Sequence, residues 1–266
     1  MNPINFIKSL IKISKGKPQI PKSLENNELL KIIYKRRSVR KFEDKEIPKD
    51  IIDAILEAGR LAPSTVNLQP WSFVVLDKKE WRELFDKPLP FKANKAIIIL
   101  GDVHRVLKVI PVAQNCPIVK YTLAVMNASL AAQNMNIAAE ALGVASVMLS
   151  DTGTGGFFHA EYLKNKLNLP NDVFPLMTIV FGYPKGEYPP MPPKLPIEEI
   201  SFKNQYKEPN DFILQDWIEQ MHAGFKVTNP FSSFQAKLNY YTSNLERAEK
   251  ELNKMIFGEK KDNINK

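Results

Sequence analysis

The chain has 266 residues, 44% hydrophobic and 25% charged, with 11 Gly and one Cys. That length and apolar fraction support a globular body with a large core and exclude collagen-like or disordered chains, and no stretch approaches the roughly 18 apolar residues of a membrane span. Net charge is +8, but Lys8, Lys12, Lys15, Lys17 and Lys22, with no acid before Glu25, supply five of it; the rest is near neutral, which excludes a basic nucleic-acid-binding body.

Residues 1–24 read as a basic arm. Ile4, Ile7, Leu10 and Ile11 share a helical face, with Lys8 and Lys12 on its other side. An arm docked on the protein is favoured over contact with a membrane surface, which stays as the lesser alternative. Lysines interrupt the apolar part and no small-residue cleavage site follows, so it is not a signal peptide.

Ser23 is a candidate cap for a helix carrying Leu29, Leu30, Ile32 and Ile33 toward Lys35. Pro48 opens a second helix with Ile51, Ile52, Ile55 and Ala58 on one face, and Pro63 follows its end. Trp71 to Leu76 is strand-like, Lys78 to Phe85 helical, and Ala96 to Gly101 a buried strand. Pro117 precedes a long alanine-rich helix, about Val119 to Leu142, ended by Gly143. Val144 to Leu149 is a strand, Gly153 to Gly156 a glycine-rich loop, His159 to Leu167 a helix and Phe174 to Gly182 a strand. Such mixing within one core means an α+β or α/β fold. A helix follows from Asp211 to Met221.

The clearest periodicity comes last. Phe231, Phe234, Leu238, Tyr241, Leu245, Ala248, Leu252 and Met255 recur at alternating spacings of three and four. That predicts a helix starting at Asn229–Pro230 with one narrow apolar seam. The seam must pack on the chain's own body or on a second chain, and the spacing does not choose between them.

Four segments carry candidate chemistry. Arg36-Arg37-Ser38-Val39-Arg40 groups three guanidiniums with a hydroxyl, a set suited to phosphate or carboxylate; alone it also reads as a solvated helix end. Pro63-Ser64-Thr65-Val66-Asn67-Leu68-Gln69-Pro70 offers neutral donors and acceptors between two prolines, or is an ordinary turn. Asp151 to Phe157 contains Gly153, Gly155 and Gly156, whose backbone can approach a ligand, or is a simple connection. Lys194 stands among Pro192, Pro193 and Pro196 and means nothing by itself. His104, His159 and His222 are too dispersed for a metal motif, and no acid–base triad is apparent.

These segments taken together, in this order, with Leu142-Gly143, Phe181-Gly182-Tyr183-Pro184 and Pro193-Lys194-Leu195-Pro196, resemble the FMN-dependent nitroreductase family. The resemblance covers about Leu29 to Ile200. It implies a three-layer α+β sandwich, a mixed central sheet flanked by helices, in an intertwined homodimer. The domains would be a basic arm (1–24), an FMN-binding body (25–200) and a helical extension (201–266). It assigns Arg36, Arg37, Ser38 and Lys194 to the FMN phosphate and ribityl chain and Arg40 to the pyrimidine edge. Pro63, Ser64, Thr65, Asn67 and Gln69 would reach the flavin of the other subunit, and Gly155 and Gly156 would face its N5 side. Some members carry a second cation where Pro192 stands, and some an acid where Gly155 stands.

The activity so implied is ping-pong two-electron transfer from NADH or NADPH, through FMN, to a small organic acceptor such as a nitroaromatic, quinone or activated alkene. The flavin carries the chemistry, so no protein group need be catalytic and no metal is required. A reducing cytoplasm fits the single cysteine. The alternatives are a dehalogenase or flavin-fragmenting enzyme of the same fold, and a flavin-binding sensor or interaction module.

Overall fold

The computed structural model describes residues 3–111, 115–150 and 157–258. The helices are α1 (Pro3–Lys15), α2 (Glu28–Lys35), α3 (Lys49–Arg60), α4 (Lys78–Phe85), α5 (His104–Val109), α6 (Pro117–Ala141), α7 (Ala160–Lys166), α8 (Asp211–Thr228) and α9 (Phe234–Phe257). The strands are β1 (Trp71–Asp77), β2 (Lys95–Asp102), β3 (Ala145–Leu149) and β4 (Val173–Gly182). The chain divides into two compact units, one from residues 1–34 and 189–243, the other from 35–188 and 244–266. Among the described residues no helix is long and apolar enough to cross a membrane.

The second unit is α+β and holds the sheet, in the order β1-β2-β4-β3. All its ladders are antiparallel, which corrects the expected mixed sheet. The reason is topological. β2 and β3 run the same way across the α6 connection, but β4 inserts between them and runs against both. Among the described residues parallel pairing enters only at one bridge, Ser38 to Ser146.

Side chains alternate across a strand, and β2 is covered on both faces, so its run Ala96-Ile97-Ile98-Ile99-Leu100 is apolar throughout. Ile97 and Ile99 join a core with Ile55, Ala124, Ala128, Ala131, Met135 and Phe181. Ile98 and Leu100 join the other core, with Val39, Phe42, Trp81, Val147 and Leu163. Helices α3 and α6 thus cover one face and α4 and α7 the other, giving the three layers. Alanines let α6 approach the sheet closely: a Cβ on Gly101 would lie 2.8 Å from the Ala124 Cβ.

Local signals shift several boundaries. Asn27, not Ser23, caps α2, its Oδ1 accepting from Leu30 N at 3.0 Å, while Ser23 lies in a preceding 3-10 turn. Gly143, with φ of 74°, follows the end of α6 in the left-handed region. Helix α8 runs on to Thr228, and Asn229 closes it by donating its backbone N–H to the Phe225 carbonyl. The last helix therefore starts later than Asn229–Pro230, at Phe234, where Ser233 Oγ accepts from Ala236 N at 3.0 Å. Helix α5, which the sequence reading leaves out, is six residues long, too short for its apolar spacing to mark it.

The seam of α9 divides. Within the second unit Ala248 is buried and Met255 and Ile256 pack on the α6-side core. Glu251 Oε2 accepts from Glu161 N at 3.0 Å, and Arg247 Nη2 donates to the Phe158 carbonyl at 3.3 Å, fixing this stretch at the start of α7. Packing on the chain's own body thus accounts for that half of the seam.

In the first unit α1 packs on α8. Ser9 is buried, Phe6, Leu10 and Ile13 are half-buried, and Ile13 faces Gly224. Lys12 Nζ meets Asp216 Oδ1 at 2.5 Å. Leu10 accordingly leaves the face formed by Ile4, Ile7 and Ile11. Trp217 Nε1 donates to the Pro193 carbonyl at 3.3 Å, tying the proline-rich stretch to α8.

Candidate functional site

Residues 36–43 run along the sheet margin formed by β3 and the end of β4. Val39 N donates to the Ser146 carbonyl at 3.1 Å, and Glu43 N to the Tyr183 carbonyl at 2.9 Å. Phe42 is pressed against Gly182, where a Cβ would lie 2.7 Å from the ring. Burying Val39 and Phe42 on the core side holds the backbone that carries Arg36, Arg37, Ser38 and Arg40. Ser146 is itself fixed, its Oγ donating to Asn136 Oδ1 at 2.5 Å.

Arg36 and Arg37 are half-buried and adjacent. Arg37 Nη1 donates to the Arg36 carbonyl at 2.7 Å. The Arg36 guanidinium has no hydrogen bond or ion pair among the described residues. Arg40 is exposed, donates through Nη1 to the Ser38 carbonyl at 3.2 Å and lies over the Phe91 ring.

Beneath the arginines sits a carboxylate that sequence reading missed. Glu140, near the end of α6, is 9% exposed and accepts a hydrogen bond from the Tyr188 hydroxyl at 3.2 Å. Burial lifts its carboxyl above the ordinary range, against the opposing pull of Tyr188 and of Lys35, Arg36 and Arg37. Burial and Glu140 together push the Tyr188 phenol up to about 12, so it stays a donor at neutral pH. Burial and then Arg36 lower Arg37, yet a guanidinium keeps its charge. Among the described residues three cations thus act on one buried carboxylate, a balance of charge suited to a phosphate. The signal was visible: Glu140 is the only acid in α6.

The polar turn lies between α3 and β1. Val66, Asn67 and Gln69 all have positive φ, at 49°, 57° and 49°. For a β-branched valine that is a strained conformation, and its side chain is 86% exposed. The surroundings hold the turn in place. Thr65 N donates to Asn127 Oδ1 at 2.7 Å, and Gln69 N to Ser64 Oγ at 3.1 Å. Arg105 Nη2 donates to the Gln69 carbonyl at 3.2 Å and also to the Trp71 carbonyl. Asp102 aims Arg105 through Nε at 3.0 Å and accepts from Ser72. Gln69 Nε2 reaches the Asn67 carbonyl at 3.4 Å. Pro63, Thr65 and Asn67 are exposed, although the Thr65 N–H and Oγ1 are both engaged by Asn127.

Arg36, Arg37, Ser38, Arg40, Pro63, Ser64, Thr65, Asn67 and Gln69 all belong to the second unit. They form two separate clusters there, the arginine segment and the polar turn. Lys194 belongs to the first unit, exposed on its proline-rich stretch. Gly155 and Gly156 lie outside the described residues. Among the described residues no group of His, Cys, Asp and Glu could hold a metal ion.

A model of the nitroreductase family matches residues 33–102 and 111–183. A protein of Archaeoglobus fulgidus assigned as an NADH dehydrogenase/NAD(P)H nitroreductase is 32% identical over 169 residues, 60% of this chain and 87% of that one. The oxygen-insensitive NADPH nitroreductase of Salmonella typhimurium is 28% identical over 204 residues, 72% of this chain and 80% of that one. Among solved structures, the NADPH:FMN oxidoreductase of Vibrio harveyi complexed with NAD+ shares the fold. Its TM-score is 0.70 at 23% identity, covering 86% of this chain and 98% of that one.

Proposed function

Because the chain belongs to the nitroreductase family, we propose that it is an NAD(P)H-dependent FMN oxidoreductase that reduces a small organic acceptor by two electrons. The observation that carries this reading is the arginine segment: Lys35, Arg36 and Arg37 around one buried carboxylate, with no hydrogen bond or ion pair on the Arg36 guanidinium among the described residues. A bound FMN would supply hydride exchange between a nicotinamide and the acceptor.

The protein's part is binding, orientation and electrostatics. Arg36, Arg37 and the Ser38 hydroxyl hold the phosphate and the start of the ribityl chain. A dianion needs such donors, and each charge-assisted hydrogen bond contributes ~1.5–3 kcal/mol. Glu140, hydrogen-bonded to Tyr188, lies close to the arginines and offsets part of their mutual repulsion. Arg40 is the cation for the pyrimidine edge, where it would stabilise negative charge and raise the two-electron potential. Lys194 is proposed as a further phosphate cation on the family likeness alone. Residues 25–200 would be the catalytic domain, with 1–24 and 201–266 as additions, acting in the cytoplasm, where reduced nicotinamide is available.

The polar turn, Pro63 to Gln69, would serve the flavin of a second subunit. Support for a homodimer comes from α6. Its core face is alanine-rich, yet Val119, Met126 and Leu130 are 52%, 58% and 46% exposed on one narrow stripe of the helix. Two copies meeting there would cover both stripes and bring each turn toward the other chain.

Titrating flavin-free protein with FMN and with riboflavin tests the reading. FMN binding tighter than riboflavin by tenfold or more is expected. Equal affinity, or none for either, would refute the phosphate assignment.

A further inference from the structure

We propose that α1 seats this protein on an anionic lipid surface. The helix has two apolar faces. One, with Phe6, Ser9, Leu10 and Ile13, turns toward α8, and the Lys12–Asp216 ion pair fixes its rotation. The other keeps Ile4, Ile7 and Ile11 at 64%, 58% and 49% exposure, within roughly 60° of the circumference. An isolated exposed isoleucine needs no account; three in one row on a helix already packed elsewhere do.

Charge decides what covers the row. Lys8 and Lys15 occupy the adjoining sector, are exposed, and have no hydrogen bond or ion pair among the described residues. Lys17 and Lys22 follow, and no acid occurs before Glu25. A second copy of this face would bring lysines against lysines, which is unfavourable. An anionic bilayer meets both halves of the surface, taking the isoleucines at the acyl boundary and the ammonium groups among its headgroups. Each lysine near such a surface strengthens binding roughly fivefold, and salt screens that gain. The packing of α1 on α8 orders the helix before it meets lipid, so little ordering entropy is lost on docking.

The test is co-sedimentation of the full-length, flavin-loaded protein with vesicles. One set is phosphatidylcholine with about a third phosphatidylglycerol, the other phosphatidylcholine alone. Binding at least tenfold stronger to the anionic set, weakened in high salt, is expected. Lys8→Glu with Lys15→Glu, and separately Ile7→Glu with Ile11→Glu, should each lower it at least tenfold while flavin content and far-UV circular dichroism stay unchanged. Equal binding to both vesicle types, no binding, or undiminished binding by either folded variant overturns the proposal. So does a drop in sedimenting mass of the Ile7→Glu, Ile11→Glu protein, since that would mean a second copy covers the row.

Discussion

Asn127 holds Thr65 at two points, its Oδ1 accepting the Thr65 backbone N–H at 2.7 Å and its Nδ2 donating to Thr65 Oγ1 at 3.2 Å. The amide also donates to the Leu123 carbonyl at 2.6 Å and is 2% exposed, so a rigid helix dictates where the polar turn begins. Asn127→Leu should cost about 1–3 kcal/mol by stranding a backbone donor. Asn127→Asp keeps the acceptor and should cost less. Denaturant midpoints compare them; equal stability of wild type and Asn127→Leu would deny the turn this support.

Val66 stores strain in the same turn. A β-branched residue at φ 49° is unfavourable by about 1–2 kcal/mol, and its largely exposed side chain buries little apolar surface in return. Val66→Gly should stabilise the protein by about 0.5–1 kcal/mol after the larger entropy of glycine in the unfolded chain is counted. A loss of stability in thermal unfolding would show that Val66 makes a contact the fold requires.

Arg36→Ala should weaken FMN by about 2 kcal/mol, close to thirtyfold, and leave riboflavin unchanged. Fluorescence titration of both flavins checks it, since a general loss of structure would weaken the two alike.

Glu140 makes stability depend on pH. Its native carboxyl titrates above the unfolded value, so the folded state holds the extra proton between the two. Stability therefore falls as pH rises from the unfolded value through the native one, and the penalty persists above it. Glu140→Gln should flatten that fall in flavin-free protein and gain on wild type as pH rises. Tyr188→Phe removes the donor that favours the carboxylate and should steepen it. Unfolding free energies across roughly pH 4 to 8 compare the three; parallel profiles would contradict the assignment.

Much of the fold can be read in the sequence where one physical signal dominates. The apolar run of β2 and the alanine-rich α6 mark buried elements because both faces of each are covered. Boundaries are less legible where two signals compete. Asn229–Pro230 looks like a helix start, yet the Asn229 N–H is taken by the end of α8. Antiparallel pairing depends on β4 inserting between β2 and β3, which no local pattern encodes. In the candidate site, clustered arginines are visible because they are neighbours in sequence. Asn127 is not, since it reads as an ordinary helix residue until the fold brings it to a turn far along the chain; Glu140 stands out as the one acid in α6, but nothing local in the sequence shows that a cation cluster lies over it.

The seam of α9 ends in a defined packing. Met255 and Ile256 are partly buried on the α6-side core, so Met255→Ala with Ile256→Ala should cost about 2–4 kcal/mol and leave the oligomeric state unchanged. Sedimentation and denaturant unfolding together check this; dissociation of the oligomer would assign the seam to a second chain.

The most direct measurement is the visible absorption spectrum of freshly purified protein, recorded anaerobically before and after NADPH and then NADH. A flavin band that bleaches with at least one nicotinamide and returns when a quinone or nitroaromatic is added is the predicted result. Colourless protein that takes up no added FMN, or a bound flavin that neither nicotinamide reduces, would contradict the account.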